Sequence, residues 1–266
     1  YMGALGDYVK VAGRIPLPPK FAFGYWWSRY WQYSDNEFVD LVTTMKSFDI
    51  PIDVLIVDMD WHETWSLRAK ESPRDAYGQR IGWTGYTWKK SLFPSPDNFM
   101  QWCHNQHLKT ALNLHPASGI EPFEEPYERF AADYGWTEKG KGVPFRIDDE
   151  KWADSYFKTV LGPMEKQGVD FWWLDWQQWL ESKYTKGLSN TFWLNHVFNH
   201  HMKERSDERP MIYHRWGGLG SHRYQVGFSG DIYIAWESLG FLPWFTSTAS
   251  NVGYGYCCLL YTSPSP

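Results

Sequence analysis

The stretch Gly168-Val169-Asp170-Phe171-Trp172-Trp173-Leu174-Asp175-Trp176-Gln177-Gln178 sets the carboxylate of Asp175 among three tryptophans, at the end of an apolar run. An ionised carboxylate is costly to surround with indole unless something offsets its desolvation. The run 169–174 reads as a strand, and Asp175 stands where that strand stops.

The same arrangement recurs on either side. Ser34-Asp35-Asn36-Glu37 reads as a capping box, followed by Phe38, Leu41, Val42 and Met45 at helical spacing. Pro51 ends that unit. Residues 52–59 are almost continuously apolar, as expected of a parallel strand buried on both faces. Further strands are expected at 21–27, 109–114, 210–214 and 225–228. Helices are expected after Ser95-Pro96, from about Lys151, and after Ser189. Two long excursions, near 62–95 and 116–150, separate some of these elements. The alternation, without repeat or linker, points to βα units in one α/β domain.

Polar residues repeatedly sit where an apolar run ends: Asp58 and Asp60, Asn113 and His115, Asp175, Arg215, Asp231. In a (β/α)8 barrel those ends form the active-site face. Each residue alone could equally cap a following helix. Five strand ends bearing carboxylate, amide, imidazole or guanidinium groups favour a site. Two carboxylates on different strand ends suggest glycoside hydrolysis, in which a pair flanks the scissile bond. Asp175 suits the residue beneath the anomeric carbon, because indole walls exclude water and strengthen electrostatic interactions. Asp231, in Gly227-Phe228-Ser229-Gly230-Asp231, sits on a glycine-bearing loop and suits the acid, with its pKa raised by the charge of Asp175.

Composition is consistent with that chemistry. The chain of 266 residues carries 18 Trp, 17 Tyr and 16 Phe. Indoles are platforms for the C–H faces of sugars, although an aromatic-rich core accounts for them equally well. A net charge of −5 without a basic cluster argues against nucleic acid. No apolar run reaches the length of a membrane span. Tyr1-Met2-Gly3-Ala4 shows no signal-peptide pattern, so a cytoplasmic location is expected. Cys103, Cys257 and Cys258 supply neither a disulfide framework nor metal spacing. His200-His201 reads as a solvated helix face, and nothing in the pattern specifies an oligomeric state.

The chain resembles the catalytic domain of glycoside hydrolase family 31, the retaining α-glucosidases and α-xylosidases, over nearly its whole length. The resemblance rests on 16–25 (PLPPKFAFGY), 53–61, Leu112-Asn113-Leu114-His115-Pro116, the Asp175 segment, and Arg215-Trp216-Gly217-Gly218 through Gly230-Asp231, in that order. It implies a (β/α)8 TIM barrel, incomplete here with about six of eight strands. It also implies Asp175 as nucleophile, Asp231 as acid/base and Arg215 as a ligand of the sugar in the cleavage subsite. Asp58 is the match for the residue binding the non-reducing sugar's hydroxyls, with Asp60 second. Trp173 and Phe228 match positions lining the same pocket. The substrate implied is an α-glucoside or oligosaccharide cleaved by double displacement, with no metal and no organic cofactor.

Two departures from the family pattern stand out. Trp176-Gln177-Gln178 follows the nucleophile where many members carry Met and then Asn-Glu, which opens the sugar preference. Residues 257–266 have no family counterpart. They read as a foreign tail on a C-terminally truncated domain of residues 1–256, with a natural short variant as the alternative. The readings open at this point are an α-glucosidase, an α-xylosidase or transglycosylase of the same family, a lyase on the same scaffold, and a non-catalytic carbohydrate-binding protein.

Overall fold

The computed structural model of the chain describes residues 1–63, 83–175, 180–215, 218–233 and 235–258. Within them the elements run α1 (Met2–Ala12), β1 (Trp26–Trp27), α2 (Asp35–Ser47), β2 (Val54–Val57), α3 (Pro96–Asn105), β3 (Lys109–Leu114) and α4 (Tyr127–Tyr134). They continue with α5 (Glu150–Ser155), a π-helical turn (Tyr156–Leu161), α6 (Gly162–Gln167), β4 (Phe171–Leu174) and α7 (Asn190–Arg205). The last are β5 (Ile212–Arg215), β6 (Val226–Phe228), α8 (Trp236–Ser250) and β7 (Cys257–Cys258).

The seven strands make one sheet in the order β1 to β7, with every neighbouring pair parallel. A parallel sheet taken in strict chain order is the wall of a TIM barrel. Six strands stand where the apolar runs placed them. The seventh, Cys257–Cys258, pairs with Gly227 and Phe228, so the first two residues of the expected tail belong to the sheet. Residues 259–266 lie outside the described residues.

The local signals act as their chemistry requires. Ser34 Oγ accepts from Glu37 N at 3.3 Å and the Glu37 carboxylate accepts from Ser34 N at 2.8 Å, which closes the capping box of α2. Ser189 accepts from Phe192 N and caps α7. The strand expected at 21–27 contracts to two residues, because Lys20–Phe23 forms a 3-10 turn. The chain is pinned just before β1, where the Asp53 carboxylate accepts from Tyr25 N at 3.0 Å.

Side-chain alternation divides the sheet into two faces. On the inner face Phe171, Trp173, Tyr213 and Phe228 pack with Trp26, whose ring centre lies 5.5 Å from Phe171 and 5.3 Å from Tyr213. Contact between β1 and β5 across three intervening strands requires the sheet to curl, and the rings fill the enclosed space. Much of the aromatic content is therefore barrel core. On the outer face Trp172 donates to Glu165 of α6 at 2.8 Å, and Asn195 of α7 meets His214 Nδ1 at 3.3 Å. At the strand beginnings Asp170 accepts from Lys109 Nζ at 2.8 Å and Thr110 N at 2.8 Å, tying β3 to β4.

The histidine pair of α7 divides. His200 is exposed beside Glu204, whereas His201 stacks on Phe157 at 3.9 Å and bonds Glu165 at 3.0 Å. Only the first fits the expected solvated face. No described helix is long and apolar enough to cross a membrane, and no described group of three or more His, Cys, Asp and Glu side chains is arranged to hold a metal ion.

Candidate active site

Because β2 to β6 are parallel neighbours, the residues at their C-terminal ends meet on one rim. Asp58 and Asp60 follow β2, Asn113 and His115 come from the end of β3, and Asp175 follows β4. Arg215 ends β5, and its register partner Phe228 ends β6.

Asp175 is the centre of the group and is only 6% exposed. Arg215 donates to its Oδ1 through Nε at 2.9 Å and through Nη2 at 2.6 Å. From β3, the Asn113 amide reaches Oδ2 at 3.5 Å and His115 Nε2 lies 3.4 Å from the same oxygen. Burial pushes the Asp175 carboxyl up, but His115 and Arg215 outweigh it and hold its pKa below the ordinary carboxylate value. The carboxylate among indoles is therefore compensated by partners on the two neighbouring strands.

Asp231 lies beyond β6 with its side chain 63% exposed, and its Oδ2 is 3.4 Å from Arg215 Nη2. One guanidinium thus touches both carboxylates. The turn before Asp231 depends on Gly230, which has φ of 77°. A Cβ there would stand 2.5 Å from Arg215 Nη1. The guanidinium also rests on the ring of Phe228, with Cζ 4.9 Å from its centre.

Asp58 is partly buried. Burial pushes its carboxyl up to about 7; a hydrogen bond from Met59 N opposes this and the negative charge of Asp175 adds to it. Asp60 is turned to a different partner, accepting from Gln32 Nε2 at 3.3 Å, and burial raises its pKa as well. Trp61 is fully buried and donates to the Asn113 carbonyl at 2.8 Å, which locks β2 to β3 beneath the rim.

Trp173 and Phe228 are 1% and 0% exposed and stand edge to face at 5.4 Å. They form the floor under Arg215 and Asp175 and offer a ligand no surface, in contrast with the lining position their sequence match implies. Among the described residues, Asn113 and His115, to which the sequence match assigned no role, also reach Asp175 directly. Their position at a strand end was visible in the sequence; that both converge on one carboxylate oxygen follows from the register Asn113↔Trp173 between β3 and β4. Trp176, Gln177 and Gln178, where the family pattern breaks, lie outside the described residues.

Residues 15–259 match the profile of the "Glycosyl hydrolases family 31 TIM-barrel domain". The chain is 40% identical over 273 residues to "Alpha-glucosidase 2" of Bacillus thermoamyloliquefaciens, covering 88% of this chain and 32% of that protein. It is 27% identical over 170 residues to "Alpha-xylosidase" of Saccharolobus solfataricus, covering 63% of this chain and 20% of that protein. The chain thus spans a third or less of the length of these relatives. Among solved structures, a GH31 alpha-xylosidase from Xanthomonas citri superposes with a TM-score of 0.71 at 18% identity, over 98% of this chain and 30% of that one. At that identity the superposition speaks for the fold alone. The profile match extends over nearly all of a chain whose strand ends gather two aspartates about one arginine, and this protein belongs to glycosyl hydrolases family 31.

Proposed function

We propose that the chain is the catalytic barrel of a retaining α-glycosidase that releases terminal, non-reducing α-linked glucosyl residues. The observation that carries this reading is the shared contact of both carboxylates with Arg215 Nη2. Distances of 2.6 and 3.4 Å to one nitrogen bring one oxygen of each carboxylate within about 6 Å of the other, which favours the close pairing of about 5–5.5 Å used by retaining enzymes over the wider spacing of inverting ones. Asp175 is held ionised and buried, as a nucleophile must be. Asp231 is exposed at the mouth, where an aglycone leaves.

The steps follow from those placements. Asp175 attacks the anomeric carbon and forms a glycosyl ester as the glycosidic C–O bond breaks, and the Asp231 carboxyl proton passes to the departing oxygen. Asp231 then takes a proton from a water that attacks the same carbon, and the ester bond to Asp175 breaks. Arg215 loses its carboxylate partner's charge in the ester state and is then available to the sugar hydroxyls. Asp58, facing the same rim, is the hydroxyl-binding carboxyl. Nucleophile, acid and cation are all side chains of this chain.

Glucose as the sugar rests on the alpha-glucosidase relative at 40% identity; the alpha-xylosidase relative supports the α-xyloside alternative. Proton NMR of the first-formed sugar from aryl α-glucosides and α-xylosides tests both points. The α-anomer from the glucoside is expected first. The β-anomer would overturn retention, and faster turnover of the xyloside would overturn the sugar assignment.

A further inference from the structure

His115 is 5% exposed and stands between two carboxylates of the rim. Its Nε2 lies 3.4 Å from Asp175 Oδ2, and β2, which leads to Asp58, flanks β3 on the other side. Its backbone is held as firmly as its ring. Thr84 Oγ1 donates to the His115 carbonyl and itself accepts from Ser118 N at 3.0 Å. Trp83 packs on the imidazole at 5.5 Å. The neighbouring Gly85 is required by close approach, since a Cβ there would collide with the ring of His62. The segment 83–85, a piece of the first excursion, therefore acts as a brace behind one imidazole, and that imidazole faces the nucleophile from the side opposite Arg215.

We propose that His115 is a positioning residue for Asp175, its Nε2–H fixing Oδ2 while Arg215 fixes Oδ1, with the 83–85 brace setting the angle of the ring. The proposal deepens the glycosidase reading and rests on it for its catalytic consequence. A carboxylate held at both oxygens from two strands keeps one orientation, and a nucleophile in a single orientation reaches the attack geometry without first losing rotational freedom. Contact through Nε2 also fixes the tautomer of a neutral ring, because Nε2 must carry the proton. Among the described residues, the titratable groups that face the imidazole are Asp58 from β2, His62 after it and Asp175 from β4, with Arg215 across the carboxylate. Of these, Asp58 and His62 have pKa values displaced by burial, up to about 7 and down to about 3.

The test uses H115F, which keeps a ring and removes the donor, and H115Q, whose side-chain amide can place an N–H near the Nε2 position. Two readouts are taken on the full chain: kcat and KM on an aryl α-glycoside, and the titration midpoint of Asp175 by carboxyl 13C NMR, assigned with D175N. H115F is expected to lower kcat roughly tenfold or more with KM changed less than about threefold, as for loss of one charge-assisted hydrogen bond. The Asp175 midpoint should move up, and H115Q should restore most of kcat. An unchanged midpoint in folded H115F overturns the proposal, including when kcat falls only in step with a lower melting temperature. Where H115F does not fold, H115M is read by the same criteria. If the unaltered chain turns over no glycoside, the glycosidase reading falls, and the NMR midpoint alone decides the role of His115.

Discussion

Arg215 meets Asp175 through two nitrogens converging on one oxygen, Nε at 2.9 Å and Nη2 at 2.6 Å from Oδ1, with both side chains largely out of water. A buried pair of this kind is asymmetric in its energetics: removing one partner strands the other's charge.

Replacing Asp175 therefore has two separable effects. D175A and D175N are both expected to lower turnover of an aryl α-glucoside by about 10⁴-fold or more, through loss of the nucleophile. D175A should also lower unfolding free energy by about 3–5 kcal/mol, with D175N costing less because the amide oxygen still accepts from Arg215. Urea denaturation beside steady-state kinetics separates the two, and retained turnover in D175N would sink the nucleophile assignment.

Asp231 is exposed, so D231A should change stability by no more than about 0.5 kcal/mol. Its kinetic effect should depend on the leaving group. Turnover of an alkyl glucoside is expected to fall roughly 10²–10⁴-fold, while cleavage of a dinitrophenyl glucoside, which needs no proton, should be nearly spared in the first step. Pre-steady-state release of dinitrophenolate measures this. Equal losses on both substrates would remove Asp231 from the acid role.

R215K keeps the charge but cannot reproduce the planar fork. One ammonium replaces two nitrogens on Asp175 and the contact to Asp231, and it forfeits the face of Phe228. A loss of roughly 10–100-fold in kcat/KM is expected, corresponding to one or two charged hydrogen bonds. A variant with wild-type kcat/KM would show that the guanidinium geometry is not used.

Gly230 carries φ of 77° within contact of the Arg215 guanidinium. G230A pays for a left-handed alanine, about 1 kcal/mol, and displaces Arg215 as well. Activity should fall while far-UV circular dichroism stays unchanged, since the residue lies beyond β6 and supports no strand. Unaltered kinetics would mean that the Arg215–Asp231 contact is dispensable.

The pH dependence of stability should carry the mark of Asp58. Its folded pKa, pushed up to about 7 by burial, lies above its unfolded value, so the folded state holds a proton that the unfolded state has released. Relative to D58N, the wild-type protein should lose stability as pH rises from about 4 to about 7 and then level off. Asp175 acts in the opposite sense: its pKa is depressed, and its stabilisation is lost as pH falls through the acid range. Denaturant midpoints for D58N and wild type across this range check the difference; parallel curves would contradict it.

How far the sequence could be read depended on what kind of signal each residue gives. The capping boundary at Ser34, the strand Lys109–Leu114 and the cap at Ser189 are local, set by propensity and hydrogen bonds within a few residues, and all are present as expected. β1 was harder. Phe21 and Phe23 are as apolar as strand residues, yet the Lys20–Phe23 turn consumes them, and a tertiary contact from Asp53 fixes where pairing begins. α4 and α8 carry no sharp start signal, and α8 runs through Pro243, which sequence rules place at a boundary. β7 could not be read because Cys257–Cys258 is too short to show alternation and is ordered by pairing with β6.

For the candidate site, patterning along the chain was enough to name the residues. Apolar runs ending in polar residues place Asp58, Asn113, His115, Asp175 and Arg215 at strand ends, and a parallel sheet brings such ends to one rim. Tertiary structure decided the parts. Which oxygen of Asp175 each neighbour takes, that Asp60 turns to Gln32, and that Trp173 and Phe228 sit beneath the site all depend on strand register and sheet curl. Those are relations between residues 28 or more positions apart, and hydrophobic patterning along one strand specifies its faces but not the atoms that will stand opposite them.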